Sequence, residues 1–160
     1  MSVLSDADIR KFLAEGRLVI APFVEKRLTP NGYDLGIAEV CIPDNRVKVT
    51  AGIASVPPQS RFIVSTEERV ELNGPWAANL WIRTSWARKG VLASFGVIDS
   101  GFRGTLTLAA FNSGGGTLDI KIGDTFAQMV FSALSSEPEK GYGKRSGHYQ
   151  DQKGVTLARE

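Results

Sequence analysis

From Gly16 onward the chain never sustains a helical period: its apolar residues fall in short β-prone runs separated by turn residues. LVIAPF (18–23), RFIVST (61–66), TLTLAAF (105–111) and FAQMVF (126–131) are such runs, and 17 glycines and 7 prolines punctuate the sequence. The most regular is TLDIKI at 117–122. There Leu118, Ile120 and Ile122 point one way and Thr117, Asp119 and Lys121 the other, as a pleated strand requires. Many short strands with no helices between them predict a mainly all-β sandwich or barrel, because a parallel sheet would need crossover helices. The exception is the opening LSDADIRKFLAEG. Ser5 can cap a short helix with Asp8 three residues on, Leu4 and Ile9 can flank that cap, and Gly16 can end the helix. Ile9, Phe12 and Leu13 supply its apolar stripe.

Composition narrows the chemistry. At 160 residues the chain fits one domain, and from about residue 135 it turns polar, SSEPEKGYGKRSGHYQDQKG, which reads as an arm. No apolar run approaches the roughly 20 residues needed to cross a bilayer, and the charged N-terminus is unlike a signal peptide, so a cytoplasmic protein is expected. A net charge of +2 argues for no nucleic-acid polymer; a phosphate site must be a local basic cluster. One cysteine, Cys41, and one histidine, His148, exclude a disulfide within the chain and leave too few ligands for zinc. Zinc deaminase chemistry is excluded with it, and a Ser-His or Cys-His mechanism would have to run through His148 in the polar tail. What remains is carboxylate-assisted chemistry with a hard cation held by oxygen ligands.

Four segments could carry such chemistry. RTSWARKG (83–90) gathers Arg83, Thr84, Ser85, Arg88 and Lys89, donors that suit a polyphosphate, although a solvated basic turn has the same composition. In NGYDLG (31–36), Gly32 and Gly36 bracket Tyr33 and Asp34, allowing tight turns around a carboxylate that could hold a cation-bound water. GVIDSGFRG (96–104) sets Asp99 between an apolar strand and a Gly-rich turn, where it either caps the turn or orients a water. GDTFAQMVF (123–131) holds one amide, Gln128, in an apolar run, where burial would demand a partner. Trp76, Trp81 and Trp86 are expected in the core or at a subunit interface, and Cys41 as a small buried hydrophobe.

In their joint order these segments resemble the motifs of the trimeric dUTPases and the sister dCTP deaminases. The opening LSDADIRKFLAEGRLVIAPF and the tail HYQDQKGVT are similar to the deaminase branch. The resemblance implies a distorted antiparallel β-barrel or jelly-roll of the dUTPase-like (β-clip) kind. Residues 1–134 would form it, N-terminal helix included, and 135–160 would be an arm closing over an active site. It further implies a homotrimer with active sites at subunit interfaces. By the same resemblance Arg83, Thr84, Ser85, Arg88 and Gln128 would bind the triphosphate. Asp99 would serve the sugar 3′-hydroxyl and the attacking water, and Phe102 would pack on the sugar. Tyr142, His148, Tyr149 and Gln152 of the arm would cover the nucleotide, and Asp34 would hold Mg²⁺ through a water. His148 stands where the deaminase pattern usually has lysine.

One departure separates two chemistries. The deaminases carry a glutamate as proton shuttle in a segment resembling TLE, two residues, then Asn; here the segment reads TLAAFN, and Ala109 stands in the glutamate's place. Loss of a general acid-base group typically costs on the order of a hundred- to ten-thousand-fold. In-line diphosphohydrolysis needs a carboxylate for the water, a cation and phosphate donors, all of which are present. The expectation is therefore an archaeal-type dUTPase built like a dCTP deaminase, acting on dUTP with Mg²⁺. Two alternatives stand beside it: a deaminase in which Asp119 substitutes for the lost glutamate, and a non-catalytic nucleotide-binding trimer. Gly101 and Phe102 replace the Asp-Tyr usual in standard trimeric dUTPases, so base selection is expected from backbone around Ala93 to Gly96 and from Gln152.

Overall fold

The computed structural model describes residues 2–157. Helix α1 (Asp6–Ala14) comes first, followed by β1 (Leu18–Ala21), β2 (Leu28–Thr29), β3 (Gly32–Ile42), β4 (Val47–Val49), β5 (Ile53–Val56), β6 (Ser60–Thr66), β7 (Arg69–Leu72) and β8 (Trp76–Ile82). One helical turn, α2 (Thr84–Ala87), leads to β9 (Val91–Ala93), β10 (Val97–Ile98), β11 (Arg103–Gly104), β12 (Thr107–Asn112), β13 (Leu118–Lys121) and β14 (Thr125–Ala133). A last turn, α3 (Tyr142–Arg145), lies in the C-terminal arm.

The largest sheet runs β10-β8-β14-β3-β6-β12-β9, with β2 and β4 also on β3; β1-β7-β11 and β13-β5 form two smaller sheets. The strands pair antiparallel and curl into a half-barrel, the mainly-β architecture that the turn-punctuated runs require. β3 is the bent spine. Its first residues pair with β14 and its later ones with β6, and the register shifts in both pairings, at Thr125/Ala127 and at Ile37/Glu39. Such irregularities turn a strand from one sheet direction into another. The core lies inside the curl. Phe126 sits at its centre, with the rings of Phe62, Trp86 and Phe95 at 5.9, 5.7 and 6.1 Å. Burying each such aromatic contributes roughly 1.5–3 kcal/mol.

The local expectations meet different outcomes. Ser5 caps α1: its Oγ accepts from the Asp8 amide at 3.2 Å, and Asp8 accepts from the Ser5 amide at 3.1 Å. β13 alternates as its sequence demands, with Leu118 and Ile120 buried and Asp119 and Lys121 exposed. NGYDLG meets the turn expectation only at its start: Asn31 lies with Pro30 in the turn between β2 and β3, and residues 32–36 run within the extended β3. Gly36 is there because Arg27 and Glu67 lie against its α-carbon, where a Cβ would collide with both side chains. Trp76 and Trp86 are buried, whereas Trp81 is 62% exposed. Cys41 is half-buried rather than buried.

Candidate functional site

Asp99 lies in the loop between β10 and β11, and backbone bonds fix that loop. The Phe102 amide donates to the Asp99 carbonyl at 3.1 Å, Gly101 N–H to Leu72 O at 2.9 Å, and Leu72 N–H to Phe102 O at 3.1 Å. The Asp99 carboxylate is exposed, and among the described residues no side chain or backbone group is bonded to it. It lines a cavity of about 360 Å³ together with Phe102, Thr107, Ala109, Tyr142 and Gln152. Asp99 is the only carboxylate among the described residues of that wall.

The arm lines this cavity on its own chain. Tyr142 N–H donates to Ser100 O at 2.8 Å, Asp151 N–H to Arg103 O at 2.9 Å, and Thr105 N–H to Gln152 O at 3.0 Å. The Tyr142 ring meets Phe102 edge-on at 5.5 Å. Arg103 grips Asp151 through two bonds, at 2.7 and 2.9 Å, and Arg103 is the first cause that lowers the Asp151 carboxyl below its usual range. Gly104 permits this approach. Its φ is +147°, and a Cβ there would stand 3.1 Å from the Gln152 backbone nitrogen and oxygen.

A second cluster sits on the face made by β3, β14 and β8. Directly opposite residues project to the same side of a sheet, and Gln128 stands opposite both Asp34 and Trp81. Arg83, just past β8, reaches back so that its Nε lies 3.0 Å from Asp34 Oδ2, and it also donates to the Thr125 hydroxyl. Burial pushes the Asp34 carboxyl above its ordinary value, and the nearby Arg83 and Arg27 guanidiniums oppose that rise. Gln128 finds its partner in the Thr29 hydroxyl at 3.0 Å. The indole of Trp86 donates to Thr125 O at 2.8 Å and pins α2, leaving Thr84, Ser85 and Arg88 exposed.

The residues singled out in the sequence thus form two groups. Asp99, Phe102, Tyr142, Tyr149 and Gln152 meet at the cavity, with Ala109 in the same wall. Asp34, Arg83 and Gln128 meet on the other face, beside Thr84, Ser85 and Arg88, and none of these six lines the cavity. His148 is exposed and outside its wall. The Arg103–Asp151 clamp was missed, because a pair 48 residues apart leaves no local signal. Among the described residues no three His, Cys, Asp or Glu side chains converge as a cation cage, and Asp34 already holds Arg83. That donor set fits Mg²⁺ only as an ion carried by a substrate's phosphates, with one carboxylate beside it.

Residues 48–155 match the family model described as dUTPase. The chain is 34% identical over 160 residues to "Probable deoxyuridine 5'-triphosphate nucleotidohydrolase" of Sulfolobus islandicus rod-shaped virus 1, covering 99% of each chain. It is 36% identical over 150 residues to a dCTP deaminase of Pyrococcus horikoshii, covering 92% of this chain and 91% of that one. The fold is similar to that of the 2'-deoxycytidine 5'-triphosphate deaminase from Agrobacterium tumefaciens, with a TM-score of 0.68 and 18% identity. That match covers 81% of this chain and 46% of the longer bacterial one.

Proposed function

The chain belongs to the dUTPase family, and from that premise we propose that it is a dUTP diphosphatase, hydrolysing dUTP to dUMP and pyrophosphate. One observation carries the reading: the cavity wall that holds the unpaired carboxylate of Asp99 holds Ala109 and no second carboxylate. Asp99 takes a proton from water as the water oxygen attacks the α-phosphorus in line. The bond from that phosphorus to the bridging oxygen breaks, and pyrophosphate leaves with the electron pair. Phe102 packs against the deoxyribose, and Tyr142, Tyr149 and Gln152 of the arm cover the nucleotide.

The phosphate donors come from a neighbouring copy in a homotrimer: Arg83, Thr84, Ser85, Arg88 and Gln128. Their absence from the Asp99 cavity of their own chain supports this division. Arg83 spends Nε on Asp34 and a terminal nitrogen on Thr125, which leaves its other terminal nitrogen for a phosphate oxygen. Mg²⁺ carried by the triphosphate supplies charge neutralisation of the leaving pyrophosphate when bound, and Asp34 would hold it through a water.

A second reading, dCTP deamination, is favoured by the name of the Pyrococcus horikoshii relative. It needs a proton shuttle at the base. Asp119 does not supply one: it accepts from Ser55 Oγ at 2.7 Å on the small β13–β5 sheet and lies outside the cavity wall. The test is to incubate the protein with Mg²⁺ and dUTP or dCTP and separate the products. The expected outcome is dUMP and pyrophosphate from dUTP, with the dCTP amino group retained. Release of ammonia from dCTP would overturn it.

A further inference from the structure

We infer that Glu39 is a positioning residue: from the outer face of the sheet it holds the end of the arm down, and so keeps Gln152 in the wall of the Asp99 cavity. The inference rests on the reading of that cavity as the nucleotide site. It deepens the reading by naming a side chain, remote from the substrate, that tightens nucleotide binding.

Val40, Val64 and Leu108 stand opposite one another across β3, β6 and β12 and are buried in the core. The adjacent row, Glu39, Ser65 and Thr107, therefore points to the outer face, since successive residues alternate. Polar groups on an outer face ordinarily meet water, yet Glu39 is 7% exposed and Ser65 is fully buried. The end of the arm lies on this row. Val155 N–H donates to Glu39 Oε1 at 3.3 Å, and the Thr107 hydroxyl donates to Gly154 O at 3.3 Å and accepts from Thr156 N–H at 3.1 Å. Gly154 has a φ of +64°, and a Cβ there would stand 3.4 Å from Glu39 Oε2.

A buried carboxylate is costly unless it is paired and hydrogen-bonded. Among the described residues Glu39 meets two donors: Lys48 Nζ, 3.0 Å from Oε2, and the Val155 amide. Lys48 is largely exposed and belongs to β4, so it stays with the sheet whether or not the arm is seated. The amide belongs to the arm. Its bond to a carboxylate is of the charge-assisted kind, and lifting the arm breaks it. Glu39 thus favours the seated arm without touching the substrate. Just upstream, Thr105 N–H donates to Gln152 O at 3.0 Å and Gln152 Nε2 donates to Thr105 O at 2.8 Å. Gln152 and Thr107 both line the Asp99 cavity, and Thr107 also lies under the end of the arm. A loosened end therefore frees Gln152 from the wall, and the nucleotide sees a smaller fraction of competent chains.

The test measures three quantities in Glu39→Ala, Glu39→Gln and Gly154→Ala chains: the rate of tryptic cleavage after Lys153, the Kd of α,β-imido dUTP by calorimetry, and kcat and KM for dUTP with Mg²⁺. Lys153 is exposed but lies between the bonded residues Gln152 and Gly154, so trypsin cuts there only when the segment lifts. Glu39→Ala is expected to be cut roughly 5- to 30-fold faster. Its Kd and KM should rise at least about threefold, with kcat within about threefold of wild type. Glu39→Gln, which keeps an oxygen for the Val155 amide, should recover most of both effects. Gly154→Ala strains only the arm at its positive φ and should be cut at least about threefold faster, with a raised Kd. The inference falls if Glu39→Ala is cut or binds as wild type does, if Glu39→Gln is as impaired as Glu39→Ala, or if kcat falls while KM stays. Should Glu39→Ala fail to fold, Gly154→Ala decides, and unchanged cleavage and Kd there overturn the inference. If the wild-type chain consumes no dUTP, the hydrolase reading alone fails, because cleavage and imido-analogue binding still decide the role of Glu39.

Discussion

The Asp99 cavity and the Arg83–Gln128 face are built differently. At the cavity the chain completes itself: the arm returns over residues 100–107 with backbone bonds, an aromatic contact and the Arg103–Asp151 clamp. On the other face the polar groups settle among themselves, Arg83 on Asp34 and Gln128 on Thr29, and the surroundings stay open. Trp81, opposite Gln128 on that face, is 62% exposed. A region that closes on itself can orient a water, while one left open with apolar flanks suits packing against a second copy. The contrast supports a site assembled from two chains.

The largest effect should fall on the first region. Asp99→Asn is expected to lower kcat for dUTP by about a hundred- to ten-thousand-fold, with the Kd for the α,β-imido analogue changed less than about threefold. Unchanged kcat would remove Asp99 from the chemistry. Next comes the second region. Arg88→Ala removes a charged donor to phosphate, and a loss of about 1.5–3 kcal/mol should appear as a KM raised roughly 10- to 150-fold with kcat nearly kept. A loss confined to kcat would mean that Arg88 does not bind the ground-state phosphates.

Smaller changes probe how the arm is held. Gly104→Ala places a Cβ 3.1 Å from the Gln152 backbone at a φ of +147°. It should cost about 1–3 kcal/mol and lower Tm by about 2–4 °C per kcal/mol in calorimetry, with KM rising as the arm loosens. An unchanged Tm would mean that the arm is not docked there. The smallest effect is that of pH. The Asp151 carboxyl lies below its ordinary 3.8 because Arg103 holds its charged form. Its contribution is full above that ordinary value and fades as pH falls through the lowered one. Limited proteolysis by an acid-active protease should therefore nick the arm faster as pH drops below about 4, and Arg103→Ala should abolish that pH dependence.

Legibility in the sequence followed the range of the interactions. The α1 cap was readable because Ser5 and Asp8 are three residues apart, and β13 because its alternation is local. Within NGYDLG the turn is real at Asn31, but Gly36 misled: it permits the approach of Arg27 and Glu67 inside a strand, and no local pattern separates that use from a turn. The two groups of site residues could be named from the order of the motifs, but their separation could not. It depends on Arg83 reaching Asp34 and on the arm reaching Arg103, contacts between segments far apart in the chain.

Complementation tests most directly whether one site is made from two copies. Asp99→Asn and Arg88→Ala chains are co-expressed, with distinct affinity tags so that mixed assemblies can be isolated, and dUTP hydrolysis at substrate concentrations far below KM is compared with each variant alone. In each isolated mixed trimer one shared site of the three joins an intact Asp99 to an intact Arg88, so activity should return to about a third of wild type. Mixed assemblies no more active than the better single variant would contradict the account, because both groups would then serve the same chain.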